Sequence, residues 1–256
     1  MSTMTLYADR DSVIHNHVSP LTKVLYVVVS IAITYIYPDL LFVLLVTIFS
    51  GLMLTLGKVF RRILPILAIS IILIISIVIV QGFFNPENQT ELFSIGFLTF
   101  YKEGISYAAL LTFRVFNMIM AFGVLILTTR HDELVEAFIR KGLSPKIGYV
   151  LLSVLQLIPQ MRATMSKIAD AQASRGMETK GNLSVRLKAF FPLIGPVVLS
   201  SLNSTRERAI ALEVRGFNTG IKKTFLNEAK EYHHQGFIQL ILWLVLLGTI
   251  VWRILT

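Results

Sequence analysis

Cysteine is absent from this 256-residue sequence, which excludes a disulfide framework, thiolate metal sites and a cysteine nucleophile. Charged residues are scarce, at 15% of the chain, whereas soluble domains normally carry about a quarter. The phosphate-binding loop of the form G-x-x-x-x-G-K followed by Ser or Thr is also missing, so the usual cradle for a nucleotide is excluded. Apolar residues, in contrast, make up 54% of the chain. We therefore predict a protein whose solvent is the lipid bilayer.

Long apolar runs divide the chain. Crossing about 30 Å of hydrocarbon takes roughly 20 apolar residues in a helix, and suitable stretches lie near 21–37, 40–56, 63–84, 105–128 and 237–255. We predict an all-α integral membrane protein with about five transmembrane helices plus a cytoplasmic domain of long amphipathic helices. The predicted domains are an N-terminal interfacial segment (1–20), transmembrane helices 1–4 (21–129), a cytoplasmic helical domain (130–236) and a C-terminal transmembrane helix (237–256). Lys23, near the end of the first span, is expected to snorkel towards water.

Positive charge is unevenly distributed along the chain. Residues 130–236 hold 16 Lys and Arg against 9 Asp and Glu, which accounts for +7 of the net charge of +9. Lys58, Arg61 and Arg62 lie between the second and third spans, whereas the loop 85–104 is mainly acidic. Because cytoplasmic loops are enriched in Lys and Arg, we predict a multi-pass protein of a bacterial or archaeal cell membrane, with the N-terminus and residues 130–236 in the cytoplasm.

The basic segment 130–236 has the sequence pattern of helices. Asp132 could cap a short helix over Glu133–Lys141, which Gly142 would end. Longer helices are predicted at about 146–175 and 184–215, the second bent by Pro192 and Pro196. Their apolar stretches, 147–158 and 189–202, are too short to span a bilayer. They suit helices that lie along the membrane face or dip into it.

The two long helices end in the same way. A small residue, three further positions, then Arg, Gly and a large apolar residue recur at an offset of 40 residues. The members that we select as a docking site are Ala171, Ser174, Arg175, Gly176 and Met177 in the first copy and Ala211, Val214, Arg215, Gly216 and Phe217 in the second.

Each residue type in this repeat has a physical reason. Glycine just past a helix closes it in the left-handed conformation, and the neighbouring arginine complements the negative end of the helix dipole. The guanidinium still offers a fork of donors that suits a carboxylate on another protein. A single Arg-Gly pair is most often only a helix stop. Two matched copies in one basic segment favour a paired docking surface.

These residues resemble the transmembrane T component of energy-coupling factor (ECF) transporters. The likeness extends over nearly the whole chain, and the two Arg-Gly helix ends are its most specific part. Further matching positions are Ser12-Val13-Ile14-His15, Ser19-Pro20-Leu21-Thr22-Lys23, Arg114, Thr128-Thr129, Asp132-Glu133-Leu134 and Ile158-Pro159. Ser174 and Val214 depart from the alanine that is commoner before each Arg, which we expect to adjust packing and leave docking intact.

The resemblance implies a non-catalytic subunit of an ABC-type importer. Two cytoplasmic ATPase subunits, of the same or different chains, would bind ATP and hold Arg175 and Arg215 in their grooves. The resemblance makes 130–236 a cytoplasmic coupling-helix domain, in which the long helices cross. The motion of the ATPases would pass through these helices to a membrane-embedded, substrate-binding S component that delivers a vitamin or a metal ion. The apolar faces of 147–158 and 189–202 would hold that S component. The resemblance implies no cofactor, metal or nucleic acid on this chain, and it leaves the substrate open, as well as whether the S component is shared.

Other candidate residues have weaker support. Arg114 lies inside a predicted span and is expected to be a structural intramembrane charge satisfied by neighbouring helices, although a gating role stays open. His15, His17, His233 and His234 lack the spacing of a zinc site. Two other functions remain as alternatives. A self-contained secondary transporter would show inverted repeats within its spans, and an integral membrane enzyme would need ionisable residues converging there.

Overall fold

A computed structural model describes residues 13–86, 89–95, 98–176, 182–219, 232 and 235–255. The all-α prediction is confirmed, since nearly all of these residues lie in helices. The helices are α1 (Val13–His17), α2 (Pro20–Ile36), α3 (Leu40–Leu56), α4 (Phe60–Phe84), α5 (Lys102–Thr128), α6 (His131–Arg140), α7 (Pro145–Ser174), α8 (Leu183–Val214) and α9 (Gln235–Leu255).

Three of these helices, α4, α5 and α9, are long and apolar enough to cross a membrane. The other two predicted spans, α2 and α3, are apolar helices of 17 residues each. At 1.5 Å per residue each rises about 25 Å, slightly less than the hydrocarbon thickness of about 30 Å. Both begin at side-chain caps, because Ser19 accepts a hydrogen bond from the Thr22 N–H and Asp39 accepts one from the Phe42 N–H.

The stretch between α4 and α5 contains a short hairpin that the sequence analysis treated as a loop. Strands β1 (Glu91–Ile95) and β2 (Leu98–Tyr101) pair antiparallel, with Ile95 opposite Leu98 and Glu91 opposite Tyr101. The register shifts between Glu91 and Phe93, which marks a bulge. A hairpin this short has too weak an alternation of polar and apolar residues to be recognised from sequence.

The chain forms two compact units. The first lies within Met1–Ala137 together with Lys230–Thr256, and the second lies within Phe138–Ala229. In the first unit, which we call the bundle, α5 packs against α2, α3 and α4, and α9 packs against α2. Gly123 of α5 permits close approach of α4, because a Cβ there would lie 2.5 Å from Cδ1 of Ile63. The second unit, which we call the coupling unit, is built mainly from α7 and α8.

A polar node connects three helices inside the bundle. The Asn117 side chain of α5, 1% exposed, accepts hydrogen bonds from the hydroxyls of Ser30 in α2 (3.1 Å) and Ser50 in α3 (2.7 Å). Its amide group donates to the Ser30 carbonyl at 3.1 Å. Tyr26 and Ser50 share a further hydrogen bond of 2.7 Å. The node satisfies buried polar groups that would otherwise carry a desolvation cost.

Lys23 is buried, so the expectation that it snorkels is wrong. Only 3% of it is exposed, and its Nζ donates to the carbonyl of Thr128, the last residue of α5, at 2.9 Å. The Nδ1 of His15 lies 3.2 Å from the same oxygen. A cation at the C-terminus of a helix complements both its unpaired carbonyls and its dipole. The carbonyl that binds Lys23 belongs to α5, far along the chain, so the sequence of the first span alone does not reveal it.

The helix after α5 begins earlier than expected. α6 starts at His131, so Asp132 lies within its first turn and does not cap it, which corrects that prediction. Asp132 instead pairs with Arg130 at 2.8 Å. Burial raises the pKa of Asp132, but the hydrogen bond and the charge of Arg130 act in the opposite direction, and the pKa falls below its ordinary value.

Candidate functional site

The first Arg-Gly helix end closes α7 with a defined geometry. The chain leaves the helix at Arg175 (φ −90°, ψ 10°) and turns at Gly176, whose φ of +88° favours glycine. The Arg175 N–H donates to the Gln172 carbonyl and the Gly176 N–H donates to the Ala173 carbonyl, each at 3.0 Å. These bonds satisfy carbonyls that the helix itself leaves unpaired. Met177, the apolar member of this copy, lies outside the described residues.

The second Arg-Gly helix end closes α8 in the same way. Arg215 (φ −79°, ψ 5°) is followed by Gly216 at φ +71°. The Gly216 N–H donates to the Glu213 carbonyl at 2.9 Å, and the Phe217 N–H donates to the Leu212 carbonyl at 2.9 Å. This pair of bonds is the Schellman motif. The residues that repeat in the sequence therefore adopt the same backbone geometry at the two helix ends.

The closing geometry by itself does not single out these two ends. α6 also ends in a Schellman motif, because Gly142 lies at φ +114° and the N–H groups of Gly142 and Leu143 donate to the Ile139 and Phe138 carbonyls at 3.0 Å. Only the ends of α7 and α8 share the small residue four positions before an arginine that is followed by glycine. The features that distinguish these two ends are thus their side chains.

Both arginine side chains at the helix ends are exposed. Neither Arg175 nor Arg215 makes a side-chain hydrogen bond or an ion pair with another residue in the parts of the chain that the structure describes. The side chain of Val214 is 83% exposed beside Arg215, and Ser174 beside Arg175 uses its hydroxyl to bond the Asp170 carbonyl at 3.0 Å. Each end therefore presents a cation that its own helix does not neutralise.

The two helices contact each other away from their alanines. Ala171 and Ala211, the small residues of the repeat, are both exposed. A hydrogen bond of 2.8 Å instead joins the Arg208 guanidinium of α8 to Oε1 of Gln160 in α7. The rings of Tyr149 and Phe217 pack with centroids 5.4 Å apart. Phe217, a member of the predicted docking site, thus already contacts its own chain.

These two contacts define the direction of the helix pair. Tyr149 precedes Gln160 in α7. Its partner Phe217, three positions past the end of α8, follows Arg208, so the helices run in opposite senses where they meet. Arg175 lies 15 positions beyond Gln160, and Arg215 lies 7 positions beyond Arg208. At 1.5 Å per residue the two arginines are separated by a distance on the order of 30 Å. One small pocket could not hold both.

Arg114 has partners inside the bundle. Its Nε donates to the Thr34 carbonyl in α2 at 3.0 Å, and its guanidinium carbon lies 4.7 Å from the centroid of the Tyr35 ring. Both contacts are favourable for a cation, the second through the negative face of the ring. They come from the C-terminal end of α2, where unpaired carbonyls are available. A structural role for this charge remains a prediction.

The described residues contain no group of three or more His, Cys, Asp or Glu that could hold a metal ion. Of the histidines considered in the sequence, His15 contacts the end of α5, while His233 and His234 lie outside the described residues. An apolar cleft of about 260 Å³ is lined by Tyr37, Phe42, Gly248, Thr249 and Trp252 in the bundle. It lacks the convergent polar groups that fix a small ligand in orientation.

Three residues of the coupling unit escaped the sequence analysis, namely Tyr149, Gln160 and Arg208. Gln160 and Arg208 are 48 positions apart, and neither belongs to a repeat or a motif. A pairing of this kind depends on where two helices cross, which periodicity does not specify. Glutamine on an exposed helix is ordinary, so no sequence signal could have identified the contact.

Comparison with known proteins agrees with these features. The model of the family described as cobalt transport protein, CbiQ, matches residues 11–225. The energy-coupling factor transporter transmembrane protein EcfT of Lactococcus lactis subsp. cremoris is 29% identical over 242 residues, which is 89% of this chain and 88% of that protein. The protein of the same name from Clostridium kluyveri is 29% identical over 243 residues, with 89% and 88% covered.

A third relative is more similar over a shorter stretch. The transmembrane protein EcfT of Exiguobacterium sibiricum is 31% identical over 202 residues, which is 74% of each chain. The family match extends over α1 to α8, including the helices that carry the Arg-Gly ends. The chain therefore belongs to the CbiQ family, and within it to the membrane-embedded transmembrane components of energy-coupling factor transporters.

Proposed function

We propose that this protein couples two cytoplasmic ATPase subunits to a membrane-embedded S component, with Arg175 and Arg215 as the ATPase contacts. One observation carries the proposal. Two helix ends with the same closing geometry each present an exposed arginine with no partner among the described residues. An arginine held at a rigid helix end loses little freedom when it binds a carboxylate, and bidentate pairing adds both strength and direction.

The distance between the helix ends favours two ATPase subunits. Because Arg175 and Arg215 lie on the order of 30 Å apart, each would enter a pocket of its own. ATP binding that draws the subunits together would then move the two helix ends relative to each other. Gln160 and Arg208 join the helices between those ends, so the motion would be transmitted through the pair. The ATP is bound and hydrolysed by the partners.

Exposed apolar faces on the same helices suit an S component. Five exposed apolar residues of α7 are spaced as i, i+3, i+4, i+7 and i+11, which places them on one helix face. They are Ile147, Val150, Leu151, Val154 and Ile158. On α8 the corresponding exposed residues are Phe191, Ile194, Val198 and Leu202. An apolar surface of this extent marks an interaction with protein or membrane. The substrate, a vitamin or a metal ion, would bind the S component.

The membrane arrangement that accompanies this function follows from charge. We place residues 130–236 and the turn at 58–62 in the cytoplasm of a bacterial or archaeal cell, because the cations concentrate there. With about five spans, the first two return the chain to the side of the N-terminus, which is therefore cytoplasmic as well. Such a placement puts both Arg-Gly ends on the side where ATP is available.

Charge reversal at both helix ends tests the docking role. Arg175→Glu together with Arg215→Glu should release the ATPase subunits, because each carboxylate pocket would face a like charge. The loss expected is at least about tenfold in ATPase retained on the purified chain, since breaking a paired charge costs roughly 2–5 kcal/mol. The measurement is ATP hydrolysis and subunit stoichiometry of the complex purified from membranes.

Two matched variants serve as controls. Arg206→Glu on α8 and Lys167→Glu on α7 reverse exposed charges on the same helices away from their ends. They should leave assembly and uptake near the wild-type level. Wild-type assembly and uptake in the double helix-end variant would disprove the docking assignment. Uptake by the chain reconstituted alone would instead support a self-contained transporter.

A further inference from the structure

The turn between α3 and α4 contains a lysine in a backbone conformation that favours glycine. Lys58 has φ +55°, and among the described residues it is the one non-glycine residue with positive φ. A side chain in this region crowds the backbone, so lysine there is less favourable than glycine. The three other turns of positive φ in the described parts of the chain have Gly142, Gly176 and Gly216.

Hydrogen bonds hold Lys58 in this conformation. The Lys58 N–H donates to the Thr55 carbonyl at 2.9 Å and the Val59 N–H donates to the Leu54 carbonyl at 3.1 Å, which is the Schellman pattern again. Val59 and Leu54 are both buried in the same hydrophobic cluster, which anchors the turn. The chain thus retains lysine where glycine would fit better, and such an outlier points to a use for the side chain.

Two further cations follow within one turn. Arg61 and Arg62 lie at the start of α4 and are exposed, as is Lys58. Val59 provides no side-chain cap for α4, so the partial positive charge of the helix start adds to the same surface. We call Lys58, Arg61 and Arg62 the basic turn.

The apolar length of α4 after the basic turn determines how deep the turn lies in the membrane. The remainder of α4, from Ile63 to Phe84, rises about 33 Å, close to the hydrocarbon thickness of about 30 Å. Within α4 only Ile63 and Gly82 are buried, and large apolar side chains are exposed along its whole length. The helix therefore faces lipid, and the basic turn lies at the level of the phospholipid headgroups.

We infer that the basic turn binds the headgroup of an anionic phospholipid. Lys58, Arg61 and Arg62 place three exposed cations within five positions at the start of α4, which suits a phosphodiester. The apolar face of α4 directly below them suits the acyl chains of the same lipid. One lipid molecule supplies both a negative headgroup and apolar chains, whereas a soluble acidic protein could cover only the charges, which favours lipid as the occupant. The inference requires only that the chain lies in a membrane and does not depend on ATPase docking.

Because Lys58 has a positive φ, replacing it by glycine separates an effect on lipid binding from an effect on stability. Lys58→Gly relieves the positive φ, so the purified full-length protein in phosphatidylcholine nanodiscs should unfold at the same or a higher temperature than wild type. The same variant should bind phosphatidylglycerol about fivefold more weakly, since each cation at the surface contributes roughly 1 kcal/mol. Arg61→Gln with Arg62→Gln should weaken binding further. Lipid retention is measured by native mass spectrometry, and thermal unfolding with and without phosphatidylglycerol gives a second readout.

Controls separate a site from general charge attraction. Lys102→Gln removes an exposed cation at the start of α5 and should leave phosphatidylglycerol binding unchanged. Inorganic phosphate added to nanodiscs of phosphatidylcholine should not reproduce the stabilisation. The inference is overturned if Lys58→Gly retains the lipid as wild type does, if Lys102→Gln loses it equally, or if phosphate substitutes. Loss of a co-purifying protein with unchanged lipid binding would assign the turn to a protein partner.

Discussion

The bundle and the coupling unit use their side chains in opposite ways. In the bundle, α2, α3 and α5 bury polar groups against one another and satisfy them, as Asn117 and Lys23 illustrate. In the coupling unit, the 30 residues of α7 bury only Gly148, and buried hydrophobic residues on α8 are Leu193 and Val197. The bundle is held together by its own contacts. The long helices instead leave their apolar faces and arginines exposed, as expected for surfaces that partners complete.

Among the variants that test this difference between the bundle and the coupling unit, Asn117→Leu should cause the largest loss of stability. Removing the amide leaves the hydroxyls of Ser30 and Ser50 without their acceptor inside the bundle. The expected loss of stability is about 2–4 kcal/mol, because unsatisfied buried groups retain their desolvation cost. Thermal unfolding in detergent measures it. The control Asn203→Leu alters an exposed asparagine of α8 and should change the unfolding temperature little. Equal effects would show that the bundle does not depend on the node.

A pair of glycine substitutions sharpens the contrast. Gly123→Ala places a Cβ within 2.5 Å of Cδ1 and 3.3 Å of Cγ1 of Ile63, so it should destabilise the protein by about 1–3 kcal/mol. Gly195→Ala in α8 meets nothing within 4 Å apart from its chain neighbours. Helix propensity favours alanine there whereas Pro196 crowds the preceding Cβ, so stability should change by less than about 1 kcal/mol. Thermal unfolding of both variants provides the comparison, and an equal loss in both would contradict the difference in packing.

The smallest expected effect on stability is that of Arg208→Ala. The hydrogen bond to Gln160 is solvent-exposed, so its loss should cost about 1 kcal/mol or less. If the pair transmits motion, uptake per ATP hydrolysed should fall while ATPase subunits remain bound. Arg206→Ala is the control, because it removes a neighbouring exposed arginine. An unchanged ratio of uptake to hydrolysis in the Arg208 variant would remove this contact from the proposed mechanism.

Some features were predictable because they depend on local sequence. The apolar runs predicted α4, α5 and α9 closely, since a helix in lipid needs only length and hydrophobicity. Gly176 and Gly216 predicted where α7 and α8 end, because few other residues adopt positive φ readily. The start of α6 was misplaced by two residues, because several residues near Asp132 could begin a helix.

The sequence by itself determined that this is a helical membrane protein with two matched arginine-bearing helix ends, since hydrophobic length and helix-closing residues act locally. Only the tertiary structure decided that Lys23 is buried under the end of α5, and that Phe217 packs on Tyr149. It also decided that Lys58 is held in a left-handed turn. Each of these depends on residues distant in sequence, or on a backbone conformation imposed by buried neighbours. The local residue pattern does not specify which distant residue each of these side chains will contact.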